Sequence, residues 1–381
     1  MFYIATPDDI KNHRSTDVYF RRASKVLRAK GIDKHVRTEF VVKRFPNNYP
    51  WGVFAGLEEV MELLDGQPVN IAAMNEGTIF RANEPVMTIE GKYLDFAELE
   101  TPILGFMCHA SGVATKAARC RLAADGRQLI HFGARRVHPA IAPMVDRSSY
   151  IGGFDGVATL LGAELLGLEP SGTIPHAMIL LFGDTVEAIK AFNEVIEPAV
   201  KRVALIDTYN DEKFEAIRVA EALGKDLYAV RLDTPGSRRG NFLAILKEVR
   251  WELDLRGFSY VKLFVSGGID ENTMKELNGS VDAYGIGTAI SGAPVLDFAM
   301  DIIEIEGTPA AKRGKLSGAK QVYANERTGE REILPATKKM VHRGFVPLLE
   351  PLAKNGKLLH PLPTAAKIRS FVLSQLKDLS L

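Results

Sequence analysis

The sequence predicts an α/β protein: an irregular, incomplete α/β barrel of about six parallel strands plus an α+β lobe built from the N-terminal and C-terminal segments. Three observations lead there. The 381 residues exceed what one compact core holds, at roughly 100 to 200 residues per domain. From about Leu99 onward, short apolar runs alternate with helical patterns, the rhythm of parallel strands joined by crossover helices. On either side of that region the pieces are short, mixed and punctuated by Gly, Asn and Pro, as in an α+β lobe.

Taken in order, ATPDDIKNHRSTDVYFRRASKVLRAKG reads as an entry loop and a helix ended by Gly31. Strand-like VRTEFVVKRF, the helix GVFAGLEEVMELLDG and short strands from about Thr78 to Ile89 follow. The small-residue stretch TPILGFMCHASGVATKAARCRLAADG reads as a pair of helices. Strands are expected at 128–132, 172–175, 202–207, 227–233, 260–266 and 283–287, with helices beginning near Asp155, His176, Asp211, Gly240, Asn272 and Pro294. Such a set falls short of an eight-fold barrel, so it closes irregularly or stays open. AMILLF, after His176, is too short for periodicity to separate strand from helix. Beyond about Gly307 come a basic loop, a hairpin turning at RTGE, and the proline-marked amphipathic helix of HPLPTAAKIRSFVLSQLKDL. The expected segments are 1–105 for the lobe, 106–300 for the barrel and 301–381 for a C-terminal segment that packs with the lobe.

Lys and Arg number 48 against 47 Asp and Glu, a formal charge of +1. That balance removes the bulk attraction of a nucleic-acid or membrane-surface binder, so small-molecule partners are expected and any anion must be met by a local cluster. No run approaches the ~20 apolar residues of a membrane span, and MFYIATPDDIKNHR is charged where a secretory leader is apolar, which points to the cytoplasm. Cys108 and Cys120 fit neither a zinc knuckle nor a disulfide framework, and the 8 histidines form no ligand spacing, so no metal site made of protein ligands alone is expected.

The residues suited to chemistry cluster at expected strand ends. Ser266-Gly267-Gly268 closes KLFVSGG, and Gly285-Ile286-Gly287-Thr288 closes DAYGIGT. Glycine lets backbone N–H groups approach a phosphate, and the last two loops of an α/β barrel are its usual phosphate cradle. Asp207 in VALIDTYN and Asp233 in YAVRLDTPG follow buried runs, where a carboxylate is costly unless it holds a sugar hydroxyl, a hydrated Mg²⁺ or, for Asp207, a helix end. Arg135 and Arg136 offer paired guanidinium forks just after Phe132, an aromatic face able to stack on a ring. Arg238 and Arg239 suit either a site or a solvated basic face. His176 in GTIPHAM, taken alone, reads as a satisfied core histidine.

Together these segments resemble the nicotinate phosphoribosyltransferases, of the type II phosphoribosyltransferase family. The matching pieces are TDVY, VVKRFP, FGARRVHP, SSYIGGFDG, GTIPHAM, LIDTYN, RLDTPG, SGGID, GIGT, KLSGAK and HPLPT, in order from residue 16 to about 364. The resemblance implies transfer of a phosphoribosyl group from Mg²⁺-bound phosphoribosyl pyrophosphate to nicotinate, coupled to ATP hydrolysis, by a homo-oligomer that is at least a dimer with shared active sites. It implies that Tyr19, from the other subunit, and Phe132 sandwich the pyridine ring, with Arg135 beside it. Arg231 and Asp233 would contact ribose and phosphates, Asp207 ribose or Mg²⁺, and Gly267, Gly268, Gly287 and Thr288 the 5′-phosphate. His176 matches the histidine that ATP phosphorylates, which argues for a strand stopping at Pro175. RLDTPG departs from the family pattern by lacking the Ser-Gly-Asp that commonly follows in other branches. Asp155 matches a base-contacting aspartate of the related nicotinamide enzyme, but capping the next helix is its more economical role.

Two other readings remain. Quinolinate phosphoribosyltransferase resembles this fold and shares the SGGI-like loop, but it is typically about a hundred residues shorter. A non-catalytic phospho-metabolite-binding barrel would keep the cradle and lose the chemistry; the joint presence of Tyr19, His176, Asp207 and Asp233 argues against it.

Overall fold

The computed structural model describes residues 2–325 and 327–381. They divide into two units: Met1–Thr115 with Pro294–Lys377, and Lys116–Ala293 with Asp378–Leu381.

The first unit is an antiparallel seven-stranded sheet with helices. Its order is Thr308–Pro309, Phe298–Ile305, His35–Val42, Met87–Lys92, Asn70–Ala73, Glu350–Lys354 and Lys357–Leu358, so strands from the C-terminal part flank a block from the N-terminal part in one sheet. The longest strands, His35–Val42 and Phe298–Ile305, pair antiparallel, with Phe40 opposite Met300. Phe40, Phe54, Phe80, Leu64, Met87 and Phe298 form one core beneath them. The expected hairpin is present as Lys320–Asn325 against Arg331–Pro335; Glu326, within that segment, lies outside the described residues.

The second unit carries six parallel strands: β1 (Gln128–His131), β2 (Gly156–Val157), β3 (Arg202–Leu205), β4 (Leu227–Leu232), β5 (Lys262–Val265) and β6 (Ala283–Ile286). Their order is β2-β1-β6-β5-β4-β3, and no pairing joins β2 to β3, so the barrel is incomplete as expected. Ile130, Val203, Ala229, Phe264 and Ala283 meet in one cluster, to which Phe132 adds its ring. Inward side chains from five strands therefore fill the interior, and the strand ends open on one edge.

Three expectations are corrected, and the alternative left open for AMILLF is decided. Residues 172–175 are not a strand. Pro175 has no N–H to give a ladder, and the sixth strand is the two-residue β2, too short to signal itself. AMILLF is helical, within His176–Phe182. No helix follows Pro294; residues 298–305 form the strand that pairs with the distant His35–Val42. The supposed helix pair is the single helix Glu100–Ala123, which both Gly105 and Gly112 occupy without breaking it. Among the described residues, no helix is long and apolar enough to cross a membrane.

Those two glycines make opposite predictions. A Cβ at the exposed Gly105 meets nothing within 4 Å, so Gly105→Ala is expected to stabilise by up to about 1 kcal/mol, the usual helix gain. A Cβ at Gly112 would collide with the Pro294 carbonyl and lie 3.0 Å from Val295 Cα. Gly112→Ala is therefore expected to destabilise by roughly 1–3 kcal/mol despite the same propensity gain. Thermal unfolding of the two variants reads the sign directly.

Candidate active site

At the C-terminal edge of the sheet, a polar chain links the ends of β3, β4 and β5. Arg231 stands near the end of β4. Its Nε donates to Ser266 Oγ at 2.8 Å, its Nη1 donates to Thr173 Oγ1 at 2.6 Å, and its Nη2 lies 3.5 Å from Asp233 Oδ2. The guanidinium carbon sits 5.1 Å from the centre of the Phe132 ring, a cation–π contact. Ser266, just beyond β5, passes its own proton to Asp233 Oδ1 at 2.6 Å. The sequence places Ser266 among phosphate ligands; here its side chain is the relay between Arg231 and Asp233.

Phe132 leaves β1 with its N–H bonded to Ile286 O at 2.8 Å and its ring tilted against Phe264. The room for that ring comes from Gly285, where any Cβ would overlap it. Gly267 and Gly268 have φ of 80° and 63°, which few side chains tolerate, and a Cβ on Gly267 would also press on Asp233. The N–H groups of Gly267, Gly268 and Gly287 meet no acceptor within the described chain, leaving them open to an anion. Arg239 braces the loop from behind, donating to Thr234 O at 2.6 Å, Ser266 O at 2.8 Å and Gly267 O. Of the two arginines left open by the sequence, Arg239 is structural and Arg238 is exposed.

His176 opens the helix His176–Phe182, with Ile174 and Ile179 anchored in a cluster against Leu205. Its Nδ1 is 2.9 Å from Thr208 Oγ1; its Nε2 faces two carboxylates, 3.7 Å from Asp233 Oδ2 and 3.9 Å from Asp207 Oδ2. The imidazole is 39% exposed and is not a core histidine. Asp207 is nearly fully buried, and its Oδ1 has no hydrogen-bond partner among the described residues. Burial pushes its carboxyl above the usual range, and the Asp233 charge adds to this, while His176 and nearby backbone groups pull it back only in part. Asp207 caps no helix, since Asp211 does that for Glu212–Leu223.

The structure thus gathers Phe132, His176, Asp207, Arg231, Asp233, Ser266 and the glycine loops. Arg135 and Arg136 lie in an exposed turn after β1, with Arg135 near enough for its charge to act on Arg231. Tyr19 lies on the helix Val18–Ala29 of the first unit, 58% exposed. Asp155 departs from expectation: it is no helix cap but accepts from Arg121 Nη2 at 2.5 Å and Leu129 N–H at 2.9 Å. Thr173 and Thr208 went unread as site residues; their only signal was that they lie inside GTIPHAM and LIDTYN.

A donor set of two carboxylates, one with an unsatisfied buried oxygen, suits a hard cation that keeps waters and substrate phosphates as its other ligands. Among the described residues, no group of three or more His, Cys, Asp or Glu is placed to hold a metal unaided.

The family models that match are the N-terminal domain of quinolinate phosphoribosyl transferase over residues 17–111 and its C-terminal domain over 113–301. A curated nicotinate phosphoribosyltransferase of Mycobacterium tuberculosis, pncB2, is 31% identical over 336 residues, 81% of this chain and 69% of that protein. The nicotinate phosphoribosyltransferase of Bacillus subtilis is 27% identical over 85% of this chain and 72% of its own. A solved nicotinate-nucleotide pyrophosphorylase from Pyrococcus furiosus superposes with a TM-score of 0.98 at 53% identity, covering 100% of this chain and 99% of that one. Human nicotinic acid phosphoribosyltransferase shares the fold, with a TM-score of 0.79 at 21% identity over 96% and 94% of the two chains.

The geometry carries a pH prediction. A carboxyl whose folded pKa is raised contributes stability below its unfolded pKa and loses it as pH rises through the folded value. At neutral pH, Asp207 is therefore a net cost to the ligand-free fold. Asp207→Asn is expected to raise the thermal midpoint at pH 7 by a few degrees, about 1 kcal/mol corresponding to roughly 2–4 °C here. The advantage is expected to shrink as pH falls through the raised folded value and to be gone once pH is below the ordinary carboxylate range. A midpoint lowered at pH 7 would contradict the buried-charge assignment.

Proposed function

The chain belongs to the nicotinate phosphoribosyltransferase family, and we propose that it transfers the phosphoribosyl group of phosphoribosyl pyrophosphate to nicotinate, with ATP hydrolysis coupled through His176. The observation that carries this reading is the meeting of His176 Nε2 with Asp207 and Asp233 beside the Arg231–Phe132 stack. In the transfer, the ring nitrogen of nicotinate forms a bond to the ribose anomeric carbon. The bond from that carbon to pyrophosphate breaks, and pyrophosphate leaves with the electron pair. Positive charge grows on the sugar as negative charge grows on the leaving group, so the site works by stabilising both.

Phe132 supplies one face for the pyridine ring. Arg231 and Arg135 supply the positive field that a carboxylated base needs. Gly267, Gly268, Gly287 and Thr288 offer backbone N–H groups to the 5′-phosphate, while Ser266 keeps Arg231 and Asp233 in register. Asp207 and Asp233 would oppose the developing cation and would hold Mg²⁺, a reading supported by the unsatisfied buried oxygen of Asp207. When bound, that ion would neutralise the pyrophosphate. Because the substrates are phosphorylated metabolites, we assign the reaction to the cytoplasm, with Cys108 and Cys120 as free thiols.

The ATP step uses the exposed edge of His176. Its nitrogen attacks the γ-phosphorus, an N–P bond forms, and ADP leaves with the electrons of the broken P–O bond; water later cleaves the phosphohistidine. Thr208 holds Nδ1 and thereby the ring plane. The reading is tested with nicotinate and quinolinate as alternative substrates, with and without ATP, in wild type and His176→Asn. Expected are nucleotide formation from nicotinate, ATP hydrolysis in step with it, acid-labile label from γ-labelled ATP, and a folded mutant that transfers slowly without label. Quinolinate turnover with release of CO₂ and no ATP dependence would favour quinolinate phosphoribosyltransferase, whose product is also nicotinate mononucleotide. Label on the mutant equal to wild type would remove His176 as acceptor.

We also propose a homodimer, at least, with composite sites. It is supported by exposed apolar residues on two elements, Val18 and Tyr19 on one helix and Leu180, Leu181 and Phe182 on the helix of His176. Burying such residues against a second copy is favourable at about 25 cal/mol per Å². Inactive Tyr19→Ala and Asp233→Ala chains, mixed, are expected to regain activity; mixed dimers that form without activity would refute shared sites.

A further inference from the structure

Behind the mouth lies a second polar cluster that the proposed chemistry does not use. His131, the last residue of β1, is fully buried, and so is Asp146 on the helix Ala142–Ile151. His131 Nδ1 is 2.6 Å from Asp146 Oδ1, and His131 Nε2 is 3.1 Å from Ser291 Oγ. Ser291 Oγ in turn donates to Gly133 O at 2.7 Å. Asp146 Oδ2 accepts from Thr159 Oγ1, which accepts from Gly162 N–H at 3.0 Å.

Proton counting fixes the directions. A serine hydroxyl has one proton, and Ser291 commits it to a carbonyl that can only accept, so toward His131 it can only accept. Nε2 therefore carries a hydrogen. On the other side, one proton lies between Nδ1 and Oδ1, and the remaining Asp146 oxygen is satisfied by Thr159. Every member has its partner, the condition under which a buried polar network specifies one geometry.

Its location says which geometry. β1 and β6 are held side by side by ladder bonds that end with Phe132 N–H on Ile286 O. Past that bond the loops diverge: one carries the Phe132 ring, the other runs from Gly287 into the short helix Thr288–Ser291. The Ser291 bond to Gly133 ties them again beyond the ladder, and His131 aims that hydroxyl. We infer that His131, held by Asp146, is a positioning residue that acts through Ser291 and Gly133 to fix the spacing between the base-stacking face at Phe132 and the phosphate loop at Gly287. This rests on the proposed function, since it is a nucleotide that spans the two.

The consequence is selective. A ligand reaching both loops feels their spacing; one reaching only the phosphate loop and ribose contacts does not. Ser291→Ala is expected to weaken nicotinate mononucleotide by about tenfold or more, the scale of a small misplacement of bound groups. Phosphoribosyl pyrophosphate binding is expected to stay within about twofold. Thr159→Val, at the far end of the network, is expected to lower the thermal midpoint while leaving both affinities near wild type. Calorimetric titration of the three full-length proteins with the two ligands, with unfolding midpoints, reads all of this. Unchanged mononucleotide binding in Ser291→Ala, equal weakening of both ligands, or equal loss in Thr159→Val would overturn the inference. A wild type that binds neither ligand would remove the functional reading and this inference with it, whereas a wild type that binds both, with Ser291→Ala unaffected, removes the inference alone.

Discussion

One guanidinium holds the mouth of the second unit together. Arg231 touches Ser266 after β5, Thr173 in the segment before His176, Asp233 after its own strand, and the Phe132 ring after β1. A parallel sheet brings strand ends to one edge but does not set the distances between the loops that follow. A rigid fork with several donors does, and a lysine at this position would reach only one or two of these partners. The glycines around it follow from the same crowding: Gly285 makes way for the ring that Arg231 covers, and Gly267 makes way for the carboxylate that Arg231 faces.

The site was legible in the sequence where a motif ended a buried run. Asp207, Asp233, the SGG turn and the GIG turn each stand at the end of an apolar stretch, and those stretches are the parallel strands. Arg231 and Tyr19 carried no such signal and came only from the ordered resemblance of segments. Thr173, Thr208, Ser291 and Asp146 were not read, because each matters through a partner 15 to 160 residues away. The same limit explains the fold errors. A two-residue strand such as β2 has no period, and the strand Phe298–Ile305 exists because His35–Val42 is there to pair with it, which no local pattern records. Residues 172–175 were misread for the converse reason: their apolar, β-prone sequence is extended for the sake of Arg231 and Ile174 packing, not for a ladder.

His176 shows how a site residue can contradict its local reading. A single histidine among apolar residues is normally packed and satisfied, yet here the apolar neighbours belong to a helix that leaves Leu181 88% exposed. The helix is anchored by Ile174 and Ile179 and presents its first residue to the mouth. Exposed apolar side chains and a half-exposed imidazole on one short element are two results of one cause, a helix with only one buried side.

The two polar clusters of this unit obey opposite rules, and the contrast separates structure from chemistry. Around His131 every donor meets an acceptor, so the cluster tolerates full burial and gains shape rather than net stability. Around Asp207 the accounting does not close: one carboxylate oxygen is buried without a partner, a second carboxylate lies close by, and the carboxyl is pushed up. An unsatisfied buried polar atom costs on the order of 1–3 kcal/mol. A fold selected for stability alone would have no reason to keep it beside a network as complete as that of His131. The deficit falls at the strand ends, next to open backbone N–H groups and an aromatic face, where, on the proposed function, a sugar phosphate with its cation would supply the missing charge and hydrogen bonds. On the proposed function, stability withheld from the ligand-free protein would be returned on binding, and most fully when positive charge develops on the sugar opposite Asp207 and Asp233.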